Sequence, residues 1–175
     1  EILDGNAPLT WMNARIGNWV VTPRAGKVVE INALWYNALR VLAFFRERLS
    51  DDPGNGVGDA EPEPKMEPDP GVLADAVKSI FPEVFWNPSG KCLYDVAGCN
   101  PPDDHLRPNQ LLAMSLSFPV FEGPMARQAL ETCWLALYTP IGFRSLSITH
   151  DQFRAQYAGD QYAREGAMHQ GTVWP

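Results

Sequence analysis

From Val28 to Leu49 the apolar residues Ile31, Leu34, Trp35, Ala38, Val41, Leu42 and Phe45 recur at spacings of three and four. That is the period of an α-helix with one apolar face. A helix this long sets the fold class, because strands alternate with a period of two and cannot use the same pattern. Three further stretches follow the same rule. Residues 72–86 carry Leu73, Ala76, Val77, Ile80 and Phe81, with Pro82 expected to kink or end the helix. A third helix is predicted to start at Pro108 and run through Leu112 and Leu116, and a fourth to run from Pro124 through Ala126, Ala129, Leu130, Cys133 and Leu137. No long alternation predicts a large sheet, although short pieces such as Trp19-Val20-Val21 suit small hairpins. Loops dense in aromatic and polar residues, at 8–24, 87–107 and 139–175, separate the helices. Helix, rich loop, helix is the pattern of an α/α array whose loops share one face. No sequence repeat accompanies it, which argues against a regular solenoid.

Composition narrows the function classes. With 175 residues, 45% of them apolar, the chain has one-domain size and material for a sizeable core. Residues 50–71 stand apart: five prolines, four glycines, seven acidic side chains and one lysine. Too few apolar groups are present there to offset ordering, so a mobile acidic loop is expected. That loop carries −6 of the chain's net −7 and leaves a nearly neutral body. Neither part is the basic surface that nucleic acid requires, and no apolar run is long enough to span a membrane. Cys92, Cys99 and Cys133 cannot all pair within one chain and lack zinc spacing, so they are read as free thiols in a reducing, cytoplasmic compartment. The chain opens on Glu1 without a signal peptide and closes on Val173-Trp174-Pro175. Both ends read as cut, so residues 1–175 are expected to be a section of a longer protein.

Several chemistries have no support. His105, His150 and His169 form no HxH or HxxxH pair, and a lone histidine is more often structural than a ligand, so no metal is assigned. Gly54, Gly56 and Gly58 follow no strand and open no helix, as a phosphate loop requires. No GxSxG elbow is present. What remains are loop clusters of Trp, Asn, Gln, Arg and His, which suit a pocket for a small neutral polar ligand. Taken singly, each residue also has a plain structural role. The tryptophans can be core and the amides caps. Asn109-Gln110 can sit beside exposed donors of a first helical turn, Asp95 can cap a turn, and Arg107 can pair with Asp103-Asp104.

Taken in order, six stretches resemble one family: TWMNAR at 10–15, VTPRAGKVVEINALWYNALR at 21–40, CLYDV at 92–96, LRPNQLLAMSL at 106–116, PIGFRSLS at 140–147 and AMHQGTVWP at 167–175. They are similar to the carboxy-terminal glucosidase domain of glycogen debranching enzymes. The resemblance implies an all-α fold, a (α/α)6 toroid of which this chain would be a part, incomplete at both ends and with short strands in its loops. It also implies hydrolysis of the single glucose left at an α-1,6 branch point of a branched α-glucan or limit dextrin. The reaction inverts the anomeric centre and needs no cofactor. Inversion requires a protonated carboxyl to donate to the leaving oxygen and an ionised one to activate water. The residues that match the family's sugar-contacting motifs are Trp11, Arg24, Glu30, Asn32, Trp35, Tyr36, Asp95, Arg107, Asn109, Gln110, His169 and Gln170. Met12, Ala33, Leu34, Ala38 and Leu39 are read as packing only.

The chain departs from the family where the chemistry is done. The family's general acid is the aspartate of a TWMD motif, and position 13 is Asn13. An amide has no proton to donate at useful pH. The family's base is a glutamate beyond the stretch at which this chain ends. Asn18 also replaces a customary aspartate, a lesser and local matter. Three readings follow. One is a hydrolase module in which Asn13 is an engineered change or another carboxylate, such as Glu30 or Asp95, serves as the acid. Another is an inactive relative or fragment that binds carbohydrate without turnover. The last is a structural piece whose exposed toroid faces self-associate.

Overall fold

A computed structural model describes residues 9–50 and 67–174. The predicted loop at 50–71 lies mostly outside them. The chain is mostly helical with short antiparallel strands, and among the described residues the helices close no barrel. In order, the elements are β1 (Arg15–Ile16), β2 (Trp19–Val20), β3 (Lys27–Val28), α1 (Val29–Ser50), α2 (Pro70–Phe85), β4 (Trp86–Asn87), β5 (Cys92–Leu93), β6 (Val96–Ala97), α3 (Leu112–Ser115), α4 (Pro124–Leu137), β7 (Tyr138–Thr139), β8 (Gly142–Arg144), α5 (Gln161–Met168) and β9 (Val173–Trp174). A 3₁₀ turn over Pro108–Leu111 leads into α3. The strands pair as β1–β2, β3–β6, β4–β5 and β7–β8–β9, all antiparallel. In the described part no helix is long and apolar enough to cross a membrane.

Four of the five helices follow the predicted spans, with local differences. Asp69 caps α2 by accepting from the Gly71 amide at 2.8 Å, and Pro70 takes a first-turn position that needs no donor. Pro82 does not end α2. The helix continues to Phe85, because Phe81 and Phe85 are both buried in the core and hold the last turn in place. The third helix is shorter than expected: α3 stops at Ser115 and Leu116 lies beyond it. The stretch 139–175 is not all loop. It contains α5, which opens where the Asp160 side chain accepts from the Ala163 amide at 2.9 Å.

The largest difference concerns the face that α1 buries. Its inner side is Val29, Ala33, Tyr36 and Leu39, packed with Ala74, Phe81 and Phe85 of α2, Leu93, Phe121 and Ala129. Most of the periodic set read from the sequence points elsewhere. Ile31, Leu34, Trp35, Leu42 and Phe45 are exposed. So Leu34 and Ala38 are not packing residues here, whereas Met12, Ala33 and Leu39 are buried as expected. The helix is apolar on two sides, and one-face periodicity cannot say which side meets the rest of the chain.

Candidate functional site

The start of α1 lies against the segment around Asp95. β3 and β6 pair Val28 with Val96, and the Val29 amide donates to the Asp95 carbonyl at 3.1 Å. That bond satisfies one of the helix's unpaired first-turn donors. The close approach requires Gly26 (φ 130°), where a Cβ would lie 2.5 Å from the Ala97 carbonyl oxygen. This junction places Glu30, in the first turn of α1, beside Arg24 and Asp95.

These side chains form a buried network. Arg24 donates to both Glu30 oxygens, from Nη2 at 2.8 Å and from Nη1, and its Nη2 also donates to Asp95 Oδ1 at 2.9 Å. Asn109 Nδ2 donates to the same Asp95 oxygen at 2.8 Å and approaches Met12 Sδ at 3.3 Å. Arg107 Nε is 3.8 Å from Asp95 Oδ2. Its Nη groups donate to the Ser145 carbonyl at 3.1 Å, to the His169 carbonyl, and to Gln170 Oε1 at 2.9 Å. Gln110 joins at the edge, accepting from the Leu93 amide at 2.8 Å. Trp11 donates its indole N–H to Glu30 Oε1 at 3.1 Å and meets the His169 ring edge-on at 5.3 Å.

Two cations and two carboxylates balance here. Burial pushes the Asp95 carboxyl up, and the guanidiniums of Arg24 and Arg107 pull it back. Burial also works against the Arg24 charge, but Asp95 and Glu30 outweigh it and its pKa is raised. Arg107 is lowered by burial, with Asp95 opposing. Burial, then Arg107 and Arg24, hold the His169 imidazole down at about 4, so it is neutral at pH 7.

A cavity of about 310 Å³ opens over this network, with Arg24, Asp95, Arg107 and Gln170 in its wall beside Trp19 and His105. Arg24 Nε and Asp95 Oδ2 form an ion pair at 2.8 Å, Arg107 Nε stands 3.8 Å from the same oxygen, and neither Arg24 Nε nor Asp95 Oδ2 has a hydrogen-bond partner among the described residues. The guanidiniums and carboxylates of the wall are thus spent chiefly on one another. At its edge, side-chain atoms of Asp103, Asp104 and His105 lie within 4.8 Å of one another, with His105 Nδ1 engaged by Asp103 and its ring packed at a 34° tilt on His150 at 4.2 Å.

Of the residues singled out in the sequence, Trp11, Arg24, Glu30, Asp95, Arg107, Asn109, His169 and Gln170 are joined in this network, with Gln110 at its margin. Three are not. Asn32 donates to the Val28 carbonyl of its own helix at 2.8 Å, Trp35 is exposed, and Tyr36 is a core residue whose hydroxyl accepts from Arg40 at 3.1 Å. Asn13 is exposed between buried Met12 and Ala14 and is not in the wall of the 310 Å³ cavity. Arg107 pairs with Asp95 rather than chiefly with Asp103-Asp104. Trp19 and Gln152 line the cavity without having been marked as sugar-contacting, and so does His105, which was weighed only as a metal ligand. The only available signal for Trp19 was a large aromatic residue in a polar hairpin.

The chain is mostly helical, with short antiparallel strands, and its loops build a charge-balanced polar cavity. A family model described as amylo-alpha-1,6-glucosidase matches residues 2–175, and the chain belongs to that family. It is a glycosidase family of the glycogen-debranching type. No curated protein matches the chain.

Proposed function

We propose that this chain binds the α-1,6-linked glucosyl end of a branched α-glucan or limit dextrin, as part of an (α/α)6 glucosidase toroid. The observation that carries this is the cavity of about 310 Å³ whose wall holds the charge-balanced group of Arg24, Asp95 and Arg107 beside Gln170 and Trp19. A neutral polyhydroxylated ring can hydrogen-bond a polar wall of this kind without bringing a charge that would upset its balance. Membership in the glucosidase family points to the same ligand.

Turnover by inversion requires a free acid and a free base. Glu30 and Asp95 are both committed to Arg24 and cannot serve as either without giving up the ion pairs that hold the cavity together. Asn13, at the family's acid position, carries no titratable proton. For the chain as it stands, binding without turnover is therefore the reading favoured over hydrolysis. Asn13→Asp in the full-length protein is expected to raise glucose release from a branched limit dextrin by at least about a hundredfold. An unchanged rate would remove position 13 from the acid's role. Self-association through the exposed face of α1 belongs to the same proposal, as does a cytoplasmic location.

A further inference from the structure

His105 and His150 come from separate loops, and the fold packs their rings at 4.2 Å with a 34° tilt. The loops are joined where the Ser147 amide donates to the Leu106 carbonyl at 3.1 Å. His105 Nδ1 is engaged by Asp103. His150 has two neighbours competing for one nitrogen. The Gln152 amide donates to His150 Nδ1 at 3.1 Å, and Asp151 Oδ1 stands 3.0 Å from the same atom. These two contacts need opposite protonation states. A neutral ring with its proton on Nε2 offers a lone pair at Nδ1 and accepts from Gln152. An imidazolium carries a proton on both nitrogens and can only donate. Asp151 then becomes its partner, and the Gln152 amide loses its acceptor.

Gln152 ties this contact to the cavity. It lines the wall together with His105, Arg107 and Gln170. Its Oε1 accepts from Gln170 Nε2 at 3.2 Å, and Gln170 Oε1 accepts from Arg107 at 2.9 Å. The charged and titratable groups facing His150 are His105, Arg107 and Asp103 across the contact and Asp151 beside it. Burial, then His105 and Arg107, hold the His150 imidazole below its ordinary value of 6.5, against the pull of Asp151 and Asp103. Asp151 is 87% exposed, so water screens its attraction. The ring is therefore neutral at pH 7 and holds Gln152. Below 6.5 an arrangement in which His150 is released takes up a proton that the packed one resists, so falling pH favours release.

We propose that His150 is a pH-sensitive catch on the cavity wall. Neutral, it holds the Gln152 amide and keeps the Gln152–Gln170–Arg107 chain in place. Protonated from solvent, it turns to Asp151 and lets that chain go. The catch acts on the wall itself and does not depend on which ligand the cavity takes.

Nuclear magnetic resonance titration of the full chain from about pH 8 to about pH 5 tests it. The Gln152 backbone amide and the Gln170 side-chain amide are expected to shift with one common midpoint, that of the His150 imidazole, below 6.5. His169, held near 4, titrates outside this window. His150→Gln offers the Gln152 amide an acceptor that does not titrate, and is expected to abolish both shifts. Asp151→Asn, an exposed change, removes the partner of the protonated ring and is expected to lower the midpoint. Far-UV circular dichroism checks that both variants fold. Gln152 and Gln170 signals that stay fixed while His150 titrates, or that still move in His150→Gln, would overturn the catch. If His150→Gln does not fold, Asp151→Asn decides, and a midpoint unchanged in that variant would overturn it.

Discussion

His169 shows how the network makes a single residue sensitive to pH. Its side chain is fully buried beside two guanidiniums, which holds its pKa near 4 against an ordinary value of 6.5. Above pH 6.5 neither the folded nor the unfolded chain protonates it, and its full contribution is present. As pH falls from 6.5 towards 4 the unfolded chain takes up a proton that the folded one refuses, so stability falls. Below about 4 the loss is complete, at most about 3 kcal/mol. Urea melts between pH 7.5 and 4 are expected to show this slope, and His169→Gln is expected to flatten it. A variant with the same slope would assign the effect to another group. Arg24, Asp95 and Arg107 teach a different lesson. Their motifs mark them in the sequence as polar and clustered, but only their burial distinguishes mutual ion pairs from free catalytic groups.

At the scale of elements, the junction of β3, α1 and β6 carries the site. Gly26 permits the backbones to approach, and both its φ of 130° and the 2.5 Å contact disfavour any side chain there. Gly26→Ala is expected to cost about 2 kcal/mol or more, read as a lower urea midpoint, and to loosen the Arg24–Glu30–Asp95 contacts. An unchanged midpoint would mean that the junction is less tightly held than its geometry implies. The start of α4 was readable because Pro124 is a local signal, whereas α2 opens at Pro70, inside the stretch read as acidic loop, because Asp69 caps it. Helix α5 was not readable. Eight residues with Gly166 among them give too short a pattern, and only Asp160 announces the start. The sequence left open whether α2 ends at Pro82, and aromatic packing of Phe81 and Phe85 in the core outweighs one lost hydrogen bond.

For the whole molecule, the second apolar side of α1 is the outstanding surface. Trp35, Phe45 and Leu49 are each more than half exposed, and Ile31, Leu34 and Leu42 continue the stripe. Exposed apolar area of this kind favours association. Sedimentation velocity is expected to show concentration-dependent dimers or larger species, and Trp35→Ser with Phe45→Ser to return the chain to monomer. A chain that stays monomeric at every concentration would dismiss this. The charge balance acts at the same scale: the buried network is neutral, so an uncharged ligand can enter without disturbing it.

Residue order alone was enough for the helical class, most helix starts, the small hairpins and the family, because these rest on local spacing and on motifs of adjacent residues. Three matters needed the assembled chain. They are which side of α1 is buried, which of the marked polar residues meet, and that Trp19 and Gln152 line the cavity. Each depends on contacts between segments tens of residues apart, and no local pattern records them. Arg24 and Asp95 are 71 positions apart, and Arg107 and Gln170 are 63 apart. Only the folded backbone decides that they touch.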